Sequence, residues 1–246
     1  MSVSVEVPVE STAGSTVGST AEATFSIVAR CPRTGAFGAA VASRIPAVGA
    51  VVPHLRTGVG GIVTQARTNV YIGLRGIDLL AGGASAEDVV DAVLRWDPEV
   101  HLRQFAVVDG AGRVAAFTGD RSEPYAGHRL EDGFAVVGNM LASGDVLDAM
   151  AKRFGEQPEA PLTERLLDAL AAGQAAGGDK RGKQSAAVRV VEEEEYPLVD
   201  LRVDEHDDPI VELRRVYTVC LTGLFPYART RPTRAALRLA TGRDGP

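Results

Sequence analysis

Residues 19–30 read STAEATFSIVAR. As far as Ala23 the residue types are those of a linker, and from Thr24 the chain alternates as a β-strand does, with Phe25, Ile27 and Ala29 on one face. The seam between the two is a threonine. Working back from it, residues 1–23 hold a short alternating run, VSVEVPV, and then a Ser/Thr/Gly/Ala tract. The segment reads as a flexible extension, with an added edge strand as the alternative for the first part.

Working forward, PRTG makes a turn and GAFGAAVAS a second strand of small residues. VVPHLRTG then connects to a third strand, VGGIVTQA. Two helices follow: YIGLRGIDLLAGG, and VVDAVLRW behind the cap Ser85-Ala-Glu-Asp88. HLRQFAVVD and RVAAFTGD flank the turn GAG, and FAVVGNML is a further strand. Next come the helices SGDVLDAMAKRF and TERLLDALAAG, the latter stopped by Gly173. The strands QSAAVRVV and PLVDLRVDE enclose the acidic run 192–195, read as a solvated turn. Asp208-Pro209 opens a last helix, IVELRRVY. Hairpins with helices gathered in pairs predict stacked, mainly antiparallel sheets covered by helical layers rather than alternating βαβ units. The expected organisation is an extension over 1–23, one domain over 24–221 and a basic, proline-interrupted tail over 222–246 with room for one short helix.

Composition excludes several classes of function. The chain has 246 residues, 45% hydrophobic and 24% charged, with a formal net charge of −6. An acidic chain of this kind argues against a nucleic-acid partner. No apolar run reaches the roughly 20 residues of a membrane span, and no signal-peptide pattern opens the chain, so a cytoplasmic protein is expected. Two cysteines, Cys31 and Cys220, make neither a disulfide framework nor a metal motif. The phosphate-loop, dinucleotide, zincin and nucleophile-elbow motifs are missing, so no cofactor and no metal is expected. His206 in DEHDD has ligand-type neighbours, but such acidic runs are usually solvated loops.

Three polar clusters each follow a buried-looking strand: Thr64, Gln65, Thr68 and Asn69; Asn139 in GNM; and Asp179, Arg181, Gln184 and Ser185 in GGDKRGKQSAAV. Strand ends that deliver polar groups are where sites are commonly built, and these three are expected to converge on one mouth.

From Thr24 to about Tyr217 the chain resembles the bacterial family known as domain of unknown function 1028. The resemblance rests on TFSIVAR, GAAVASRIPAVGAVVPH, GVGGIVTQARTN, YIGLRGIDLLAGG, GNMLA, GGDKRGKQSAA and VDLRVDEHDDP. That family is classed with the N-terminal-nucleophile hydrolases, which implies a four-layer αββα sandwich and an amidohydrolase acting on a small C–N bond. In typical members the TFSIV strand directly follows the initiator methionine, so the resemblance implies Thr24 as nucleophile, its own α-amine acting as base. It further implies Gly61 and Asn139 as oxyanion donors, and Arg44 or Arg56 as the source of a positive field. Substrate contacts are expected from Gln65, Asn69, His54, Asp179, Arg181, Gln184 and Ser185. The resemblance to oligomeric hydrolases, with the apolar stretch Ile45–Leu55, suggests a homodimer. Two departures stand out: Thr24 is not N-terminal as encoded, and Ala42 stands where proteasome-like relatives carry an acid. A catalytically silent αββα module, for small-ligand binding or for assembly, is the alternative.

Overall fold

The computed structural model describes residues 24–228 and 230–241; the extension expected over residues 1–23 lies outside them. Strands β1 (Thr24–Arg30), β2 (Phe37–Ser43), β7 (Gly127–Glu131), β8 (Phe134–Asn139), β9 (Ser185–Val191) and β10 (Val199–Val203) form one sheet in the order β10-β9-β2-β1-β8-β7. Strands β3 (Pro53–Arg56), β4 (Gly60–Gln65), β5 (Gln104–Asp109) and β6 (Val114–Thr118) form the other, in chain order. Every strand pair is antiparallel. Helices α1 (Val70–Ala81) and α2 (Ala86–Trp96) lie on the smaller sheet; α3 (Asp145–Gly155), α4 (Leu162–Ala175) and α5 (Pro209–Thr222) cover the larger. The result is the expected α+β architecture, two stacked antiparallel sheets between helical layers.

Three apolar layers hold this stack together. Period-2 alternation sends Phe25, Ile27 and Ala29 of β1 outward into the layer shared with Leu147, Leu166 and Leu170. Val28 points inward, into the layer between the sheets, with Val41, Val63, Val108 and Val137. Ile62, Ile72, Val89 and Phe105 form the layer under α1 and α2. The Ser85 cap of α2 has its reciprocal partner Asp88, as the spacing predicts.

Gly173 does not stop α4, which runs on to Ala175; it lies inside the helix, where it lets Met150 approach closely. Three segments also differ from their sequence reading. PHLR, read as a connector, is edge strand β3, where a leading proline costs no ladder bond. GHRLE forms edge strand β7, whose glycine and charges conceal its pairing with β8. The basic tail contains α6 (Leu224–Ala228) and α7 (Arg234–Thr241). The acidic run anchors this segment: Glu194 accepts from Arg234 N at 2.9 Å, and Tyr196 Oη donates to Pro232 O at 3.4 Å. Within the Ile45–Leu55 stretch, Val48 and Val52 belong to the core between the sheets, whereas Val51 is exposed.

Candidate active site

The layer between the sheets is apolar along most of its length and polar at one end. Thr24 pairs with Ser43 on one side and Asn139 on the other, and Ser43 pairs with Ser185. On the facing sheet Gln65 pairs with Gln104, and Gln104 with Thr118. Two rows of inward-facing polar residues therefore oppose each other where the strands end. Thr24, Ser26, Ser43, Gln65, Gln104, Asn139 and Ser185 are all buried.

Buried polar groups need partners, and these supply one another. Thr24 Oγ1 donates to Ser43 Oγ at 3.2 Å. Gln65 Nε2 donates to the Thr24 carbonyl at 3.0 Å and to Gln104 Oε1 at 2.8 Å, while Ser26 Oγ donates to Gln65 Oε1 at 2.5 Å. Asn139 Nδ2 donates to Gln104 Oε1 at 3.2 Å. Gln104 Nε2 spreads its two hydrogens over Thr118 Oγ1 and the carbonyls of Gly127 and Gly138. Ser185 Oγ donates to Ile45 O and accepts from Val48 N at 3.2 Å.

Ser43 turns its carbonyl away from β1 to accept from Gln184 N at 3.1 Å. Thr24–Ser43 is therefore a close, non-hydrogen-bonded pair, which is why the two hydroxyls meet. By the same alternation Arg44 turns its N–H towards β1, and that N–H donates to Asp179 Oδ2 at 2.8 Å. Across β1, Met140 O accepts from Lys180 N at 3.0 Å, and Met140 N donates to Glu123 O at 2.9 Å. The 179–182 segment thus engages the ladder groups of both neighbours just beyond Thr24. Asp179 itself has a side chain 1% exposed and an ion pair with Arg181 at 2.9 Å.

Backbone strain gathers at the same end. Among the described residues, the non-glycine residues at positive φ are Ala47, Ala66, Arg67 and Met140. Ala66 and Arg67 follow Gln65 directly, Met140 follows Asn139, and Ala47 adjoins the residue whose N–H meets Ser185. Such conformations cost of order 1–3 kcal/mol each and concentrate at functional sites.

The site residues expected from sequence divide in two. Thr24, Gln65, Asn139, Arg44, Asp179, Arg181, Gln184 and Ser185 are brought together. Arg44 caps the mouth, with Nη1 donating to Gln184 Oε1 at 3.1 Å. Four others are not brought to Thr24. Gly61 packs against Leu55 and Val28, four residues along β1, about 13 Å at strand rise. Asn69 serves structure: it caps α1 and donates to Asp97 Oδ2 at 2.8 Å, beside Arg103. His54 lies under α1, where a Cβ on Gly73 would fall 2.0 Å from its ring. Arg56 pairs with Asp78 at the far end of β3. Ser26, Ser43 and Gln104 were missed; the available signal was a polar residue at the inward position of an otherwise apolar strand end.

Burial chiefly holds both His54 and His128 below the ordinary histidine value, with help from Arg189 and Arg129 respectively; the Val51 carbonyl partly opposes it at His54. His128 Nδ1 joins the network through Thr118 Oγ1 at 2.9 Å. The unfolded chain takes up these protons near pH 6.5 while the folded chain resists, so stability is full above that pH and falls as pH drops through it. The urea midpoint is expected to decline from pH 7.5 to 5.5, and the decline to shrink in a His54→Gln, His128→Gln double variant. An unchanged slope contradicts this.

A cleft of about 600 Å³ opens at the other end of the larger sheet, around Cys31, Tyr217 and Phe225. It lies about 23 Å from Thr24 along β1 at strand rise. Among the described residues no group of three His, Cys, Asp or Glu is placed to hold a metal ion, and no helix is long and apolar enough to cross a membrane.

Comparison with known proteins places this geometry in context. The family model described as a family of unknown function, DUF1028, matches residues 24–213. The crystal structure of protein SPO2555 from Silicibacter pomeroyi, of the same family, is 34% identical with a TM-score of 0.81, over 87% of this chain and 97% of that one. Anbu, an ancestral beta-subunit from Yersinia bercovieri, aligns at 14% identity and a TM-score of 0.38, over 85% and 99% of the two chains. No curated protein matches the chain.

Proposed function

Because the chain belongs to DUF1028, a family of unknown function, we propose from the site itself that it is an N-terminal-nucleophile amidohydrolase whose working chain begins at Thr24. The observation that carries this reading is the position of Thr24. It stands at the first residue of a central strand, its hydroxyl on Ser43, its carbonyl held by Gln65, and the ladder closed by Asp179 and Lys180 just beyond it.

In such a chain the α-amine of Thr24, a kind of group whose unperturbed pKa lies near 7.7–8.0, takes the proton of its own hydroxyl as the oxygen attacks an amide carbonyl. The amine passes that proton to the departing nitrogen, leaving an ester on Thr24 Oγ1. Water, activated by the same amine, then hydrolyses the ester and restores the hydroxyl. Asn139, across from Thr24, spends one amide hydrogen on Gln104, and we assign its other to the developing oxyanion. Arg44 supplies positive charge at the mouth.

A small-molecule substrate, a homodimer and a cytoplasmic location belong to the same proposal. The burial of the Thr24 side chain favours the second reading, a catalytically silent binding or assembly module, only in its silence. Incubation of a chain made to begin at Thr24 with mixed N-acyl amino acids and short amides separates the two. Release of free amine that depends on Thr24 supports the hydrolase; no release supports the module.

A further inference from the structure

The Asp179 carboxylate has more hydrogen-bond donors than a surface loop requires. Its Oδ2 accepts from Arg44 N at 2.8 Å and Arg181 Nη2 at 2.9 Å; its Oδ1 accepts from Arg181 N at 2.9 Å and Arg181 Nε at 3.2 Å. It is fixed from two sides of the sheet end, because Leu141 also bridges to Asp179 in the ladder sense. A ladder continued past Thr24 would bring the carbonyl of the preceding residue to the Arg44 N–H. Asp179 Oδ2 occupies that acceptor position, one residue step from the nitrogen of Thr24.

We propose that Asp179 is the seat for the α-ammonium group of Thr24, a positioning residue that holds the amine beside the threonine hydroxyl. This rests on the reading that the working chain begins at Thr24. A chain end there replaces one peptide N–H by a charged group with three donors. At the end of a buried layer that group needs an anionic acceptor rather than a carbonyl. The facing sheet offers none, since Gln65 and Gln104 are neutral and bonded to each other. The other charges at this end include Arg181, paired with Asp179; Arg44, on Gln184; Glu205, which accepts from Gln184 Nε2 at 2.6 Å; His206, whose N–H donates to Gln184 O; His128, on Thr118; Lys180, whose Nζ donates to Pro124 O at 2.7 Å; Arg67 after β4; and Glu123, whose carbonyl accepts from Met140 N. Among the described residues, Asp179 is the one carboxylate both buried and bonded to a neighbour of β1. Arg181 has a function in the same arrangement: paired with the carboxylate at 2.9 Å, it offsets part of that charge and tempers its pull on the amine. The pair thereby sets how much of the amine is free to act as base. Asp179 and Arg181 consequently face the nucleophile, not primarily the substrate.

The test uses a chain beginning at Thr24. The solved relative is matched over 97% of its length by 87% of this chain, and the family match starts at Thr24, so this part corresponds to a protein that folds alone. With carbon-13-labelled threonine, the Thr24 resonances are followed against pH by NMR. Asp179→Asn is expected to lower the amine midpoint by roughly one pH unit or more, because it removes the counter-charge and leaves Arg181 and Arg44. Arg181→Gln is expected to shift it the other way, since the carboxylate then acts unopposed. A loop-closing role alone moves neither midpoint. Midpoints within about 0.2 units of the parent in both variants, or shifts in one direction, overturn the proposal. If Asp179→Asn fails to fold, judged by the remaining threonine signals, Arg181→Gln decides alone. Hydrolysis is measured separately: a shift without hydrolysis leaves the seat and removes the hydrolase, and hydrolysis without a shift does the reverse.

Discussion

Replacing Thr24 by alanine in a chain that begins at residue 24 is expected to lower amide hydrolysis by at least about 10³-fold, because nucleophile and proton acceptor act as one unit. The backbone does not distinguish the two chains, so folding is expected to be unchanged. Thr24→Ser keeps both the hydroxyl and the amine and is expected to stay within about tenfold of the parent. Full-length protein carrying residues 1–23 is expected to match the alanine variant, since its Thr24 nitrogen is an amide and cannot accept a proton. Equal release by Thr24→Ala and parent, or full activity in the uncut chain, contradicts the mechanism.

The second large effect is on stability. Gln104 is fully buried and joins both sheets: its oxygen accepts from Gln65 and Asn139, and its nitrogen donates to Thr118, Gly127 O and Gly138 O. Gln104→Met fills similar space with nothing to donate or accept. Two N–H donors and two carbonyls then lose partners in a water-poor layer, at about 1–3 kcal/mol for each one left unsatisfied. A net loss of about 3–6 kcal/mol is expected, a large part of the 5–15 kcal/mol that holds a typical domain together. Equilibrium urea unfolding reads it directly. Gln104→Glu keeps the acceptor and loses the donors, so its carboxyl is forced towards the protonated form. Its deficit is expected to widen as pH rises above about 4.3, the unfolded value. A loss under about 1 kcal/mol for Gln104→Met shows that the network is not the joint described.

Much of this was legible in the chain. The alternation in TFSIVAR assigns Phe25, Ile27 and Ala29 to one face, and they do pack beneath α3 and α4. Hairpin turns and paired helices lead to stacked antiparallel sheets because each element's apolar period demands a layer on that side. Edge strands β3 and β7 were hidden, since an edge needs neither two buried faces nor a full set of ladder donors. The helices of the basic C-terminal segment were hidden because their partner, the acidic run at 192–195, is remote in sequence.

The site followed a rule visible only in part. In an antiparallel sandwich one end collects the starts of some strands and the ends of their neighbours. Thr24 opens β1, Ser43 closes β2, Gln65 closes β4, Gln104 opens β5, Asn139 closes β8 and Ser185 opens β9. Thr24, Gln65, Asn139 and Ser185 stood out as polar strand-end residues. Ser43 and Gln104 needed the register, because a polar residue ending an apolar strand becomes a signal only once the pairing says that it faces inward. His54 and Asn69 misled for the opposite reason: their chemistry suits a site, but helix α1 uses one as packing and the other as a cap.

The claim that Thr24 is a nucleophile is tested most directly by a trap that needs no knowledge of the substrate. A β-lactone opens when a hydroxyl attacks its strained carbonyl, and the whole reagent remains attached as an ester with no atoms lost. A chain beginning at Thr24 is treated with such a reagent, weighed intact by mass spectrometry and mapped by peptide fragmentation. The account predicts one added reagent mass, located on Thr24 Oγ1 and missing from both Thr24→Ala and the full-length chain. No adduct, or an adduct on another residue that persists in Thr24→Ala, contradicts it.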